Sequence, residues 1–214
     1  MVKETTKKLI VVLESATLEV VAIKKGYELL TGDEHMHLMK KLKKDPADVR
    51  PDICHQCLLM LFDSPLNKAG LLEVYLKTQK NVLIKINPQT RIPRTYKRFA
   101  GLMVQLLHEF KIESVAKEGN QVLLQVIKNP IFAHLPVGAP RIGTSSKGQL
   151  VKLNDFVKDL NPNGPVVFVI GSMAQGEIPM DYVEQTVSIS NFPLSGAVVC
   201  SRVCQAFEDL WDIR

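Results

Sequence analysis

Two stretches near the carboxyl end of the chain join strand-forming residues to short loops of a kind that bind ligands through their backbone. Val166–Ile170 is a run of β-branched and aromatic residues that ends at Gly171, and Gly176 closes the loop that follows. A second apolar stretch, Val187–Ser190, leads through 191–194 into a helical pattern. Because glycine has no side chain to keep a ligand away, the backbone of such loops can contact a ligand closely. The pattern predicts a binding site made mostly of main chain.

A third loop is predicted around Thr144, inside the loop-rich segment 136–148. Gly171 and Gly176 do not form the dinucleotide-binding fingerprint, and no lysine follows them as in a phosphate-binding P-loop. A ligand with a long phosphate tail is therefore disfavoured, whereas a compact adenine-bearing ligand fits loops of this kind. The alternative is that all three loops are ordinary connections between strands and helices.

Three arginines without an intervening acid, Arg91, Arg94 and Arg98, surround the predicted start of a helix. Pro93 is predicted near its first turn. The spacing would place Arg94 and Arg98 on one face, away from the apolar stripe of the helix. A guanidinium matches phosphate oxygens in geometry, and a helix N-terminus favours anions. The cluster therefore favours contact with RNA, and the alternative is a helix face that is merely solvated.

Arg50-Pro51-Asp52 is another candidate for a functional role. The proline stiffens the spacing, so Asp52 can hold Arg50 in one orientation through a charge-assisted hydrogen bond. Asp52 could equally be the N-cap of a helix that begins here, and the two roles do not exclude each other.

The cysteines do not favour a metal site. Cys54 and Cys57, and Cys200 and Cys204, form two pairs, but both pairs lie in apolar helical patterns rather than on the turns that zinc sites use. Buried core thiols are the preferred interpretation. His55 lies near the first pair, whereas His35, His37, His108 and His134 have no ligand or triad spacing. The sequence contains no nucleophile elbow or metalloprotease motif, so hydrolysis has no support.

The elements that would position these residues alternate between strands and helices, as is typical of a mainly parallel α/β sheet. Lys8–Leu13 is predicted as a buried first strand, followed by a helix that Ser15 or Thr17 would cap. Gln121–Ile127 is predicted as a further strand.

A β-hairpin is predicted within this sheet. Leu71–Lys77 and Val82–Ile86 alternate apolar and polar residues around a short polar turn. The hairpin is interpreted as a β insertion at about 71–87 in a single domain that spans 1–214.

The composition predicts a well-filled core and an anionic partner. Of the 214 residues, 46% are hydrophobic and 23% are charged, which argues against global disorder. The net charge of +5 is mildly favourable for nucleic acid. No secretory signal is visible, and the apolar runs are too short to span a bilayer, so an intracellular protein with reduced thiols and no membrane partner is expected. The basic stretch Lys40–Lys44 is predicted as an exposed loop or helix end, either solvated or in contact with nucleic acid.

Four longer segments carry a resemblance to a known family. They read RPDICHQ at 50–56, DSPLNKAG at 63–70, NPQTRIPRT at 87–95 and SISNFPLS at 188–195. These segments resemble the pseudouridine N1-methyltransferases of ribosome biogenesis, the EMG/NEP family of the SPOUT class. The resemblance extends over essentially the whole chain.

The resemblance implies a SPOUT-type fold, which is a mainly parallel α/β sheet whose C-terminal part forms a deep trefoil knot. It also implies that the knot loops bind S-adenosylmethionine and that the protein is a homodimer. The cofactor-binding positions implied by the family are Thr144, Gly171, Gly176, Ile189, Ser190, Asn191, Phe192, Pro193 and Leu194.

The activity implied by the resemblance is methylation of N1 of a pseudouridine in small-subunit rRNA. The RNA-contacting positions of the family correspond to Arg50, Arg91, Arg94 and Arg98, and Asp52 would steady Arg50 in placing the substrate at the catalytic centre. No metal is implied. Ribosome-assembly factors are expected partners, and the expected location is the nucleus and its nucleolus, or the cytosol in a source without a nucleus.

Some positions depart from the family pattern. Met173 and Gln175 stand where the family often has an aromatic residue and a histidine, Phe192 where tyrosine is commoner, and Gly196 where alanine is commoner. Because the loops act through backbone, cofactor binding is expected to survive these differences. Two other functions stay open: a non-catalytic rRNA-binding assembly factor, and a SPOUT methyltransferase acting on another RNA.

Overall fold

An eight-stranded sheet runs through the computed structural model, which describes residues 7–114, 119–179 and 181–214. A separate two-stranded sheet, formed by the second and third strands, lies beside it. The strands, in chain order, are β1 (Lys8–Ala16), β2 (Val20–Ile23), β3 (Gly26–Leu29), β4 (Leu72–Thr78), β5 (Leu83–Ile86), β6 (Lys111–Ser114), β7 (Gln121–Ile127), β8 (Arg141–Leu150), β9 (Pro165–Gly171) and β10 (Gln185–Ser188). The α-helices are α1 (Met36–Leu42), α2 (Pro51–Asp63), α3 (Pro65–Lys68), α4 (Tyr96–Glu109), α5 (Leu153–Phe156) and α6 (Gly196–Trp211), and 3-10 turns lie at Pro46–Asp48, Ile131–His134 and Val157–Asp159.

The strand order in the large sheet is β10-β8-β9-β1-β4-β5-β7-β6. The first five of these strands are parallel, and the last three join by antiparallel pairings. The mainly parallel α/β sheet is therefore confirmed. Carboxyl ends of parallel strands lie at one edge of a sheet, which is where ligands bind in open α/β folds. The trefoil knot concerns how the chain threads, which strand order alone does not define, so it stays a prediction.

The sheet is buried on both faces, as is typical of parallel strands. Along β1, Leu9, Val11 and Leu13 face the core that contains α2, α4 and α6, whereas Ile10 and Val12 face the opposite side. That side is covered by segments without long helices, including Ile131, Leu135, Ala139, Ile178 and Tyr182. None of the helices in the described part of the chain is long and apolar enough to cross a membrane.

The prediction of a helix directly after the first strand is wrong. β1 continues to Ala16 through an irregularity at Ser15, whose φ is 61°. The chain then forms the β2–β3 hairpin, and the first helix begins only at Met36. The physical reason is local: Val20–Ile23 is rich in β-branched residues, and Gly26, at a φ of +128°, provides the turn.

The hairpin of β4 and β5 is confirmed, and it belongs to the large sheet itself, because β4 also pairs with β1. Asn81 adopts the left-handed conformation in the turn, with a φ of 60°, in place of the glycine that such turns favour. The prediction that 136–148 is loop-rich is wrong for its second half, where β8 begins at Arg141. The extent of the domain, 1–214, stays a prediction.

Candidate functional site

A pocket of about 360 Å³ lies at the carboxyl edge of β8, β9 and β10, and we call it the backbone pocket. All of the predicted cofactor-binding positions except Asn191 line it: Thr144, Gly171, Gly176, Ile189, Ser190, Phe192, Pro193 and Leu194. Asn191 is exposed in the same loop. Sequence reasoning missed other lining residues, among them Ser145, Glu177 and Ile178. The structure therefore brings the three segments that were predicted as loops into one cavity.

Thr144 reaches the pocket from a strand rather than from a loop, which corrects the sequence interpretation. The β8–β10 pairing passes from Gly143 opposite Thr186 to Gln149 opposite Val187, so residues 144–148 leave the ladder. The hydroxyl of Thr144 donates to the carbonyl of Val169 at 3.3 Å, which ties this bulge to β9. The bulge therefore places a polar side chain at the pocket without ending the strand.

Two glycines shape the pocket for different reasons. Gly176 has a φ of +113°, a backbone conformation that residues other than glycine rarely adopt. A Cβ on Gly196 would lie 2.8 Å from the carbonyl oxygen of Gly171 and 3.0 Å from Cys57 Sγ. Gly196 therefore lets the first turn of α6 pack directly against the end of β9.

Hydrogen bonds within the loop before α6 fix its backbone. The Ser188 hydroxyl donates to the carbonyl of Ser190 at 2.8 Å, and the Phe192 N–H donates to Ser190 Oγ at 3.0 Å. Ser195 is the N-cap of α6, and its side chain accepts from the N–H of Val198. The short polar residues of the 188–195 segment thus hold the loop that lines the pocket.

A buried carboxylate lies beside the pocket at the end of β1. Glu14 is 1% exposed, and its residue pairs with Gly171 in the sheet register. Glu14 Oε1 accepts from the hydroxyl of Tyr182 at 2.6 Å and from Lys77 Nζ at 3.2 Å. Burial, followed by the contact with Glu14, raises the pKa of Tyr182 well above its ordinary value, so the phenol stays a hydrogen-bond donor. This contact fastens the segment that follows Ile178 to the centre of the sheet.

The predicted pair of Arg50 and Asp52 is present. Arg50 Nε and Nη2 donate to the two carboxylate oxygens of Asp52 at 2.8 and 2.7 Å. The hydrogen bond between the two side chains lowers the pKa of Asp52 and raises that of Arg50. In both groups it outweighs the opposing effect of burial. Arg50 itself is the N-cap residue of α2 and Asp52 lies in the first turn, so the alternative of Asp52 as N-cap is wrong. The backbone N–H of Arg50 donates to Thr17 Oγ1 at 3.0 Å.

The arginines at 91–98 do not share a helix face. Helix α4 begins at Tyr96 with Thr95 as its N-cap residue, so Arg94 and Pro93 precede it. Arg94 also has an acidic partner that the sequence did not reveal, because both carboxylate oxygens of Asp63 accept from its guanidinium. Arg91 and Arg98 are exposed and form no ion pair within the described residues. Arg91 and Arg94 line an open cleft of about 1060 Å³.

Two residues that sequence reasoning assigned no role hold this arginine segment in place. Asn67 Nδ2 donates to the carbonyl of Pro88 at 3.0 Å, and His55 Nε2 lies 2.7 Å from the carbonyl of Pro93. The His55 ring stacks on Phe99 at 4.6 Å between centroids. Both residues lie inside the motif segments at 50–56 and 63–70, which was the signal available in the sequence.

The four cysteines are buried in helices α2 and α6, as the apolar patterns predicted. Burial raises the pKa of Cys204 to about 12 and that of Cys54 higher still, so these two thiols stay protonated near neutral pH.

Glu28, Glu34 and His35 are the one group of possible metal ligands that lies close together within the described ranges. His35 Nδ1 accepts from the backbone N–H of Thr31, and its Nε2 faces Glu28 at 3.0 Å. Both ring nitrogens of His35 are therefore occupied by the fold.

Comparison with known proteins gives one concordant result. The model of the family described as EMG1/NEP1 methyltransferase matches residues 11–208. The chain is similar to proteins named ribosomal RNA small subunit methyltransferase NEP1: 53% identical to that of Drosophila melanogaster, over 98% of this chain and 84% of that protein, and 53% identical to that of Homo sapiens, over 97% and 83%. The crystal structure of Archaeoglobus fulgidus Nep1 bound to S-adenosylhomocysteine superposes with a TM-score of 0.78 at 26% identity, over 97% of this chain and 100% of that one.

Proposed function

Because this chain belongs to the EMG1/NEP1 methyltransferase family, we propose that it transfers the methyl group of S-adenosylmethionine to small-subunit ribosomal RNA. The observation that carries the proposal is the backbone pocket, in which three separate segments of the chain meet at the carboxyl edge of the sheet. The finer proposal is that the acceptor is N1 of a pseudouridine. Uridine is joined to its sugar through N1, so only the isomerised base offers that nitrogen for methylation.

The backbone pocket has the size and chemistry for one nucleoside-sized cofactor. Main chain at Gly171, Gly176, 189–190 and 192–194 would hold the polar edges of the cofactor, and Ile178 and Leu194 supply apolar surface. When bound, S-adenosylmethionine supplies an electrophilic methyl group on a sulfonium. The chain would contribute in-line positioning of the acceptor and exclusion of water around it.

The arginines would hold the RNA. A target base must leave its stack to reach the pocket, and single-stranded loops are the usual substrates for such recognition. Arg50, oriented by both oxygens of Asp52, is suited to place a phosphate or a base edge near the site. Arg91, Arg94 and Arg98 would contact the RNA backbone further away. Localisation in the nucleolus and association with ribosome-assembly factors are part of the same proposal, and imaging of a tagged chain in cells would test them.

A homodimer is also proposed, with α6 at its interface. Phe192, Val198 and Leu150 are exposed apolar side chains on segments that border the backbone pocket, with Phe192 76% exposed. Pairing of two such surfaces would cover them and would complete the wall of the pocket. Sedimentation equilibrium should therefore give about twice the 23.9 kDa mass of the chain. A mass equal to that of one chain across the micromolar range would contradict the dimer.

The activity is tested with two RNA hairpins that differ at one loop position. Labelled methyl should pass from S-adenosylmethionine to the hairpin with pseudouridine and not to its counterpart with uridine. Transfer to both would retain the methyltransferase and remove the N1 assignment. Tight binding of both with no transfer would contradict catalysis and favour a non-catalytic assembly factor.

A further inference from the structure

A second cleft, of about 550 Å³, adjoins the backbone pocket. The two cavities share the wall formed by 173–176. The other walls of the second cleft come from the end of β1 and the residues after it, from the segment 43–49 and from Gln79 and Lys80. We call this cavity the β1 cleft.

The β1 cleft lies between the proposed cofactor and RNA sites. Thr17, in its wall, accepts the backbone N–H of Arg50 at 3.0 Å, and the carbonyl of Ala16 accepts from the N–H of Gln79 at 3.0 Å. The left-handed conformation of Ser15 gives the end of β1 its direction. A group held in this cleft would therefore contact the glycine-bearing wall on one side and the Arg50 region on the other.

One hydrogen bond crosses the cleft where it meets the shared wall. Gln175 Nε2 donates to Asp48 Oδ1 at 2.6 Å, joining residues 127 positions apart. The neighbouring carboxylate of Asp45 has a local role, since it accepts the backbone N–H of Ala47 at 2.9 Å. Asp48 has no second side-chain partner within the described residues, so part of its acceptor capacity is free.

The outer part of the cleft carries cations fixed in place. Lys44 and Lys80 both bind Glu19, which is 15% exposed on its side chain. Burial alone would raise the pKa of Glu19, and its bonds to Lys44 and Lys80 outweigh this and lower it. The lysines of the lining are balanced by an equal number of acidic residues, so the cleft does not suit a bare polyanion. It suits a nucleobase inside, with flanking phosphates near the lysines. The lining cations are Lys43, Lys44 and Lys80, and the anions are Glu19, Asp45 and Asp48.

On the basis of the proposed function, we infer that the β1 cleft receives the acceptor base and that Asp48, through the acceptor capacity that its bond to Gln175 leaves free, accepts a hydrogen bond from the ring N–H that pseudouridine has and uridine lacks. Pseudouridine carries N1–H at the ring position where uridine carries a C–H. A carboxylate accepts strongly from an N–H and gains nothing from a C–H. Methylation replaces this hydrogen with a methyl group, so the contact acts while the base is being recognised and ends when the proton leaves N1. Asp48 is thus a specificity-determining residue that contacts the substrate.

The test measures binding in the presence of S-adenosylhomocysteine, which has no methyl group to transfer. The parent chain should bind the pseudouridine hairpin about tenfold more tightly than the uridine hairpin, because one charge-assisted hydrogen bond contributes about that much to affinity. Asp48→Ala should reduce this ratio to about one, and Asp48→Asn should leave an intermediate ratio. The loss of a negative charge should strengthen the binding of both hairpins equally. The ratio of the two affinities cancels this effect and reports only the contact with N1–H.

Asp45→Asn is the matched control, since it removes the same charge from the same cleft and an asparagine can still accept the N–H of Ala47. It should keep the parental ratio. An unchanged ratio in Asp48→Ala, or a parent chain that methylates only pseudouridine yet binds both hairpins equally, would overturn the inference while leaving the proposed function standing. A parent chain that neither binds nor methylates the hairpins would remove the proposed function, and the inference with it.

Discussion

Gly171→Leu should abolish cofactor binding, lowering the affinity for S-adenosylhomocysteine by about 100-fold or more. Gly171 ends β9 and lines the backbone pocket. A Cβ at this position would lie 3.4 Å from Met173 Cε and 3.5 Å from Ile178 Cγ2, which is ordinary contact. Because Gly171 lines the pocket, we expect the further carbons of leucine to extend into it and to take the place of the ligand. Isothermal titration calorimetry measures the loss.

Gly171→Ala is the matched control for this effect. Because the single methyl group fits between Met173 and Ile178, its affinity should stay within a few fold of the parent. Gly171→Leu should also keep its affinity for the RNA hairpin, since the arginines lie on other segments. Cofactor binding by Gly171→Leu at parental strength would remove Gly171 from the binding site.

Arg98→Ala should weaken RNA binding about tenfold at low salt and reduce the slope of log affinity against log salt by about 0.7. Arg98 is exposed and has no acidic partner in the described ranges, so its whole charge is available to a phosphate. Cofactor affinity should not change. Filter binding or fluorescence anisotropy over a salt series gives both quantities.

Arg94→Ala should change RNA binding in the same direction but by less, because Arg94 already shares its charge with Asp63. Asp63→Asn should strengthen RNA binding by releasing Arg94, and Arg94→Ala should then cost more in that background than in the parent. Equal salt slopes for Arg94→Ala and the parent would contradict an RNA-contacting role for Arg94.

The loops of the backbone pocket were predictable because the composition of the strands before them is typical of β-strands. Val166–Ile170 is a run of β-branched and aromatic residues, and a run of this kind ends visibly at a glycine. β8 could not be found in this way. Its residues 143–148 are glycine, threonine, serine and lysine, which have little preference for a strand, and β8 is held by its pairing with β9 and β10.

Side-chain contacts between distant segments were the other part that sequence could not reveal. The pair of Arg50 and Asp52 is two residues apart, and spacing alone predicted it. Asp63 and Arg94 are 31 residues apart, and Asp48 and Gln175 are 127 apart, so only the fold brings them together. The helix start was a separate error: the spacing predicted one helix face for Arg94 and Arg98, but α4 begins at Tyr96, so Arg94 precedes the helix.

Helix α2 contacts both the arginine segment and the start of α6 beside the backbone pocket. Arg50 stands at its start, His55 and Asp63 bind the arginine segment, and Cys57 lies where a side chain on Gly196 would meet the end of β9. A displacement of α2 therefore alters the cofactor wall and the RNA contacts at once. Substitutions that shift this helix should change the two affinities together. Linkage then requires that the coupling has the same size whether it is measured from the cofactor or from the RNA.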